Sequence, residues 1–303
     1  MTTFASGRVS VVLPVKNGRR WIRETLESVL GQNEAPHEVI IVDDGSIDGS
    51  SEILEEYLSE RTNVVLGPGR GLAAALDFGI AHASGDYIMR VDQDDPSRID
   101  RLQIQRRFLD AHPDVVMCGS WAQEIDEGGK VIGYLQPPTA DESIKTCMCF
   151  RNPFVHSTTM IRRSALMDAG GYWSPSPAPF PEDFSLWTRM AGLGRMSNIP
   201  SLLVQYRRSP QSILGTNRDS ILEQGAQICQ RYASTWFELR PDNCMGFFQF
   251  RPTRLKPGEA CGLIVDLWRI WRRSTASGLT RGLLLSDLGK PVVWLFKKGA
   301  RQK

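Results

Sequence analysis

Over residues 8–91 the hydrophobic period changes back and forth, and this alternation limits the chain to few architectures. RVSVVLPV (8–15) is β-branched, apolar and ended by Pro14, the composition of a buried strand. RWIRETLESVLGQ (20–32) instead spaces Trp21, Ile22, Thr25, Leu26, Val29 and Leu30 at helical intervals. HEVIIVDDGS (37–46) predicts a second strand running into Asp43, Asp44 and Gly45, and IDGSSEILEEYLSE (47–60) a helix with Asp48 as its N-cap. A short strand NVVLG, an alanine-rich helix GLAAALDFGIAHA (71–83) stopped by Gly85, and a strand DYIMRV (86–91) follow. Strands alternating with helices require a mostly parallel sheet covered on both faces.

Open sheets of this kind bind ligands beyond the carboxyl ends of their strands. Both acidic clusters, Asp43-Asp44 and Asp92-Gln93-Asp94-Asp95, fall at such ends. Asp92, Asp94 and Asp95 repel one another if all are ionised and close, so something positive must sit among them. Carboxylates one residue apart on a loop suit Mg2+ or Mn2+, which take hard oxygen ligands and share them with substrate phosphates. A second reading makes the cluster a helix N-terminus, because Asp94, Asp95 and Ser97 precede a helical pattern at 98–113.

Later the alternation weakens. DVVMCGSW (114–121) predicts a strand, EIDEGGKVIGY (124–134) a hairpin at Gly128-Gly129, and NPFVHSTTMIRRSALMDAGGY (152–172) a strand, a short helix and a Gly-Gly stop. WSPSPAPFP (173–181) reads as a loop, and EDFSLWTRMAGLG (182–194) as a helix. Helices and proline-containing loops begin near residue 212, which sets the expected domains at 1–211 and 212–303.

The net charge of +2 gives no global field for nucleic acid. Six cysteines without a Cys-x-x-Cys pair predict a reduced compartment, no disulfide framework and no zinc site. The amino terminus lacks the pattern of a signal peptide, and no run reaches the roughly 18 apolar residues of a membrane span. DLWRIWRRS (266–274) and KPVVWLFKKGARQK (290–303) mix aromatic and basic residues. They suit either a helix lying on an anionic membrane surface or a helix packed on the protein with a basic tail. The expected location is therefore cytoplasmic, free or peripheral on the inner face of the membrane.

The ordered set VVLPVKNG, VIIVDDGSIDGS, GDYIMRVDQDD, NPFVHSTTMIRRSALMDAGGY and PEDFSLWTRM resembles the family 2 glycosyltransferases of the GT-A fold, over about residues 8–210. The resemblance implies a Rossmann-like α/β domain with a mainly helical C-terminal extension. It implies transfer of a sugar from a nucleotide-diphosphate donor to an acceptor hydroxyl, with inversion and with Mg2+ or Mn2+. The acceptor it implies is a saccharide, free or lipid-linked, in surface polysaccharide or glycolipid assembly. It puts Pro14 and Asn17 on the loop that touches the nucleotide, Asp43 and Asp44 at the base and ribose, and Arg70 at the base or phosphates. Asp92 and Asp94 match the Asp-x-Asp motif, with Asp94 the direct cation ligand and Asp92 its helper, and Asp183 matches the catalytic base.

The family usually has Asn where this chain has Asp77. The Gln-x-x-Arg-Trp motif of polymer-extruding members is missed by QICQRY (227–232), so addition of one or a few sugars is expected. A catalytically inactive nucleotide-sugar-binding module would share these motifs. A dinucleotide oxidoreductase would carry Gly-x-Gly-x-x-Gly where PVKNGRR stands. Three further segments keep two readings each. His156 contacts an acceptor or phosphate, or is structural; Arg207 and Arg208 close on a diphosphate, or lie on a solvated face; WSPSPAPF is an acceptor lid, or a plain loop. Glu182-Asp183 likewise reads as a catalytic acid pair or as the acidic first turn of a helix.

Overall fold

A computed structural model describes residues 7–172, 181–210 and 218–237. Strands β1 (Val9–Val15), β2 (Glu38–Asp43), β3 (Thr62–Leu66) and β4 (Tyr87–Arg90) are joined by helices α1 (Ile22–Leu30), α2 (Ser50–Glu55) and α3 (Leu72–His82). All pairings among these four strands are parallel, and β1 lies between β2 and β4. The chain thus winds from β1 outward to β3 and then crosses back to β4. The reversal leaves a crevice at the carboxyl ends of β1 and β4, which the sequence fills with Lys16-Asn17-Gly18 and Asp92–Asp95.

Burial explains the composition of these strands. Every residue of β1 and β4 is buried, so neither shows a polar face. Ile22, Leu26 and Val29 of α1 lie against the β1 side chains in one core. Across the sheet α3 approaches closely: a Cβ at Gly79 would meet Val12 Cγ1 at 2.7 Å and Val42 Cγ2 at 2.9 Å. Alanine does not fit there without movement of the strand side chains.

The second half adds α4 (Arg101–Ala111), β5 (Val115–Ile125), β6 (Val131–Leu135), α5 (Asp141–Cys147), a 3-10 turn (His156–Thr158), β7 (Met160–Arg162), α6 (Arg163–Asp168), α7 (Glu182–Met190), β8 (Arg195–Arg207) and α8 (Arg218–Phe237). The sheet order is β3-β2-β1-β4-β7-β5-β6, with β8 pairing β5. The β7 strand is antiparallel to both β4 and β5, while β8 is parallel to β5. The result is a mostly parallel sheet flanked by helices, as the alternation predicts. Residues up to Thr139 and Phe154–Ile221 form one compact unit; Ala140–Pro153 and the chain from Leu222 form another.

Two local expectations change. The N-cap of α2 is Gly49, at φ 87°, and Asp48 instead accepts the Ser50 N–H at 3.0 Å and the Ser50 hydroxyl. Helix α4 starts at Arg101 with Asp100 before it, later than the pattern at 98 suggests. The carboxylates of Asp94 and Asp95 therefore do not cap it.

Candidate functional site

The β1 and β2 ends are tied together by short polar side chains. Asn17, at φ 54°, receives the Ile47 N–H on its Oδ1 at 2.9 Å and gives its own N–H to Ser46 Oγ at 3.0 Å. Pro14 is buried beside Val42, its register partner in β2. Asp43 accepts the Ser46 N–H at 2.9 Å and the Ser51 hydroxyl at 2.5 Å. Its burial opposes ionisation, but the donors Ser51 and Ser46 outweigh this and hold its pKa below the usual carboxylate range. Asp44 takes the Gly69 N–H at 2.7 Å and the Gly71 N–H at 2.9 Å. Both acids are 3% exposed and shape the loops around them. Arg70, held between those glycines, is exposed at the rim.

At the end of β4 the acidic loop is held by two buried arginines from distant parts of the sequence. Arg90 lies 2% exposed within β4 and bonds Asp92 Oδ2 through Nη1. Burial works against its charge, yet Asp92, Tyr172 and Asp95 together raise its basicity. Arg207, at the end of β8, gives its N–H to Asp95 Oδ1 at 2.7 Å and its Nε to the Asp94 carbonyl at 3.1 Å. Its Nη1 reaches the Asp126 and Glu127 carbonyls, and its Nη2 bonds Glu24 at 2.6 Å. Arg207 is thus neither solvated nor pointed at a ligand: it clamps the acidic loop. Arg208 is the surface partner of Glu124.

Asp94 differs from its neighbours. No other residue among those described donates to its carboxylate, and burial together with Asp92 pushes its pKa up to about 6. Asp95 is raised further by burial, Asp92 and Asp94. Gln93 fixes the loop from the other side, accepting the Lys16 N–H at 2.9 Å.

A second acidic group forms at the start of α7. Glu182 and Asp183 occupy its first turn, and both are buried. His156 Nδ1 lies 3.9 Å from Glu182 Oε1 and 4.0 Å from Asp183 Oδ2. One side-chain atom of each of these three residues falls within 4.8 Å of the other two. Burial, with Arg90 adding to it, keeps His156 well below its usual basicity and so neutral. Its Nε2 is 3.1 Å from the Tyr172 hydroxyl. Tyr172 is anchored in turn by Asp77 Oδ1, which accepts its N–H at 2.7 Å. Asp77 therefore has a defined contact, to the backbone beside the acid group. Trp187 of α7 stands edge-on to both the His156 and Tyr172 rings.

Arg90 relates the two acid groups. It bonds Asp92, and its charge acts on His156, Tyr172 and Glu182. The structure brings together Asp92, Asp94 and Asp95, and separately Glu182, Asp183 and His156. The residues that the sequence reasoning passed over are Arg90, Tyr172 and Glu182 as a group distinct from Asp183. Only Glu182 left a signal, its place beside Asp183 in PEDF. The acceptor-lid stretch 173–180 and the aromatic-basic segments 266–274 and 290–303 lie outside the described residues. Among the described residues no helix is long and apolar enough to cross a membrane.

Comparison with known proteins bears on this arrangement. The model of the family described as "Glycosyl transferase family 2" matches residues 10–170. The chain is 34% identical over 205 residues to EpsE of Bacillus subtilis (strain 168), a glycosyltransferase by name, covering 66% of this chain and 73% of EpsE. It is 27% identical over 208 residues to the UDP-Gal:alpha-D-GlcNAc-diphosphoundecaprenol beta-1,3-galactosyltransferase of Escherichia coli, covering 67% and 74% of the two chains. The fold is similar to residues 1–349 of S. aureus TarS in a crystal structure with UDP-GlcNAc, with a TM-score of 0.63, 19% identity, and 87% of this chain and 80% of that one covered.

Proposed function

The chain belongs to glycosyl transferase family 2, and on that premise we propose that it is an inverting transferase using a nucleotide-diphosphate sugar, a divalent cation and an acceptor hydroxyl. The observation that carries the reading is that Arg90 bonds Asp92 in one acid group and acts by its charge on Glu182 in the other. Transfer has two electrostatic demands: negative charge grows on the leaving diphosphate, and a proton must leave the attacking hydroxyl.

The first demand falls to the β4 end. Asp94 fits a hard cation: it is a largely buried carboxylate with no other residue donating to it, beside a second acid that resists its ionisation. Asp94 would hold Mn2+ or Mg2+, with Asp92 assisting, and the bound ion would supply Lewis-acid stabilisation of the diphosphate. Pro14, Asn17, Asp43, Asp44 and Arg70 line the nucleotide side. In this reading Asp43 and Asp44 act mainly by fixing the loops that receive base and ribose, because their oxygens already take donors.

The second demand falls to Asp183. Its Oδ1 takes the Phe184 N–H at 2.7 Å at the start of a helix, a setting that favours the carboxylate form. A carboxylate that ligates a cation does not also take a proton readily, so with Asp183 as the base the cation is assigned to the β4 end and not to the group around His156. Asp183 accepts the hydroxyl proton as the acceptor oxygen bonds the anomeric carbon, and the electron pair of the broken sugar–phosphate bond leaves with the diphosphate.

The E. coli relative's name gives a lipid-carried saccharide as its acceptor. We assign the same acceptor class here, in the assembly of a surface polysaccharide, with the C-terminal aromatic-basic segment as a peripheral membrane contact. Donor turnover with Mn2+ tests the reading. Asp183→Asn should lower kcat by about 10²–10⁴ with donor binding kept, and Asp94→Ala should abolish cation-dependent donor binding. Unchanged turnover in both variants would refute the assignment, and donor binding without turnover in the unaltered protein would make it a binding module.

A further inference from the structure

The search for unused groups ends at Glu182. Its side chain is 8% exposed. Among the described residues nothing but its own backbone N–H donates to it. A buried carboxyl held only by its own backbone N–H needs an explanation, and a base acting one residue away does not give one. We infer that Glu182 works as a neutral carboxyl that donates a hydrogen bond to an oxygen of the bound sugar, leaving Asp183 to take the acceptor proton. The inference rests on the transferase reading and deepens it.

The argument begins with charge. Two adjacent carboxylates in one buried first turn cannot both stay ionised without a cation. Asp183 faces Glu182 from its own helix, and His156 faces it from the 3-10 turn with Nδ1 at 3.9 Å. His156 is neutral and supplies no charge. Arg90 acts from β4, but its guanidinium is bonded to Asp92, whose own charge opposes ionisation of Glu182. Tyr172, packed on His156, is kept protonated by burial. One proton therefore has to reside on the pair. Asp183 has the Phe184 N–H, which supports the charged form, so the proton goes to Glu182. Burial and then Asp183 raise Glu182 to about 7, in line with this assignment.

A protonated carboxyl has one O–H donor, and a sugar presents hydroxyl, ring and glycosidic oxygens as acceptors. During transfer Glu182 keeps its proton: the acceptor hydroxyl proton moves to Asp183, the new carbon–oxygen bond forms, and the diphosphate departs with the old bond pair. Above neutral pH Glu182 loses the donor and adds a second negative charge beside the base, so turnover falls on the alkaline side.

The test uses the full chain with Mn2+ and a donor panel of UDP-glucose, UDP-galactose, UDP-N-acetylglucosamine and GDP-mannose, reading diphosphate release from pH 5.5 to 9. Gln carries an N–H where a protonated Glu carries its O–H. Glu182→Gln should keep kcat within about fivefold at pH 7 and lose the alkaline fall, while Glu182→Ala, losing one hydrogen bond, should drop about tenfold. A Glu182→Gln variant as inactive as Asp183→Asn, or one that keeps the alkaline fall, overturns the inference. Infrared difference spectra of unaltered protein against Glu182→Gln decide it without turnover. A protonated-carboxyl band at pH 6 that fades by pH 8 supports it, and no such band at pH 6 overturns it. Failure of every donor to turn over would instead sink the transferase reading and leave the spectroscopic result standing.

Discussion

Replacing Arg207 by Met tests the claim that one distant arginine holds the acidic loop. The guanidinium is 2% exposed and bonds four oxygens: the Asp94, Asp126 and Glu127 carbonyls and Glu24 Oε2. Glu24 is half exposed, so its carboxylate rehydrates and its loss counts for little. Asp126 and Glu127 lie at a hairpin tip that water can reach. The Asp94 carbonyl and the lost counter-charge beside Asp94 dominate, while the N–H to Asp95 is kept. An orphaned buried acceptor costs about 1–3 kcal/mol, and removing one partner of a buried charge cluster costs about 3–5 kcal/mol. Methionine keeps an apolar chain of similar length in the buried position and returns about 1 kcal/mol. Both figures describe loss of the same guanidinium and overlap, so the larger of them less the returned packing gives a net loss of about 2–4 kcal/mol, or roughly 5–15 °C in Tm for a domain of this size. Arg208→Met is the control: it breaks the surface pair with Glu124, where the arginine side chain is 46% exposed, and should cost under about 1 kcal/mol. Both are read by thermal melts at neutral pH in low and high salt; the Arg207 effect should persist in salt, because the group is shielded from solvent. A Tm for Arg207→Met within 2 °C of that of Arg208→Met, on the order of the surface effect alone, would refute the clamp.

Asp94→Asn should abolish the thermal stabilisation by Mn2+ plus donor, which for the unaltered protein reaches about 2.7 kcal/mol at a hundred times Kd; titration by thermal shift checks it. Glu182 should make stability fall as pH rises from about 4.5 to about 7, because the folded state binds its proton more tightly than the unfolded state does. At about 1.36 kcal/mol per pH unit the cost is roughly 3 kcal/mol at pH 8, so Glu182→Gln should stabilise there and be neutral at pH 4, by denaturant melts at both. Gly171→Ala should destabilise by about 1–3 kcal/mol: Gly171 has φ 72°, and a Cβ there would meet Asp77 Oδ1 at 2.7 Å. Because Asp77 anchors Tyr172 beside His156, donor turnover should fall with stability, and a folded variant of full activity would disprove that link.

The parts of this site legible in the sequence are those that local periodicity encodes. Strand β1 reads correctly because a run buried on both faces has no polar alternation, and Asp92 and Asp94 are locatable because they follow such a run. Asp183 is singled out only by the order of motifs, not by local periodicity. What escapes is what only long-range packing makes. Arg90 looks like a misplaced charge within DYIMRV until the fold sets it between Asp92 and the α7 acids. Arg207 stands 112 residues after Asp95, whose carboxylate its N–H reaches, and no local pattern announces that pairing. Helix α5 is missed because its seven residues are too few for a period to emerge. The acids are therefore written locally and the charges that make them tolerable are written globally. The division has a mechanistic consequence: Arg90 is bonded to Asp92, whereas Arg207 reaches Asp95 through its backbone N–H and spends its guanidinium on three carbonyls and Glu24. Asp94 takes no donor from another described residue, and that is the reason to place the proposed metal there and not across all three acids.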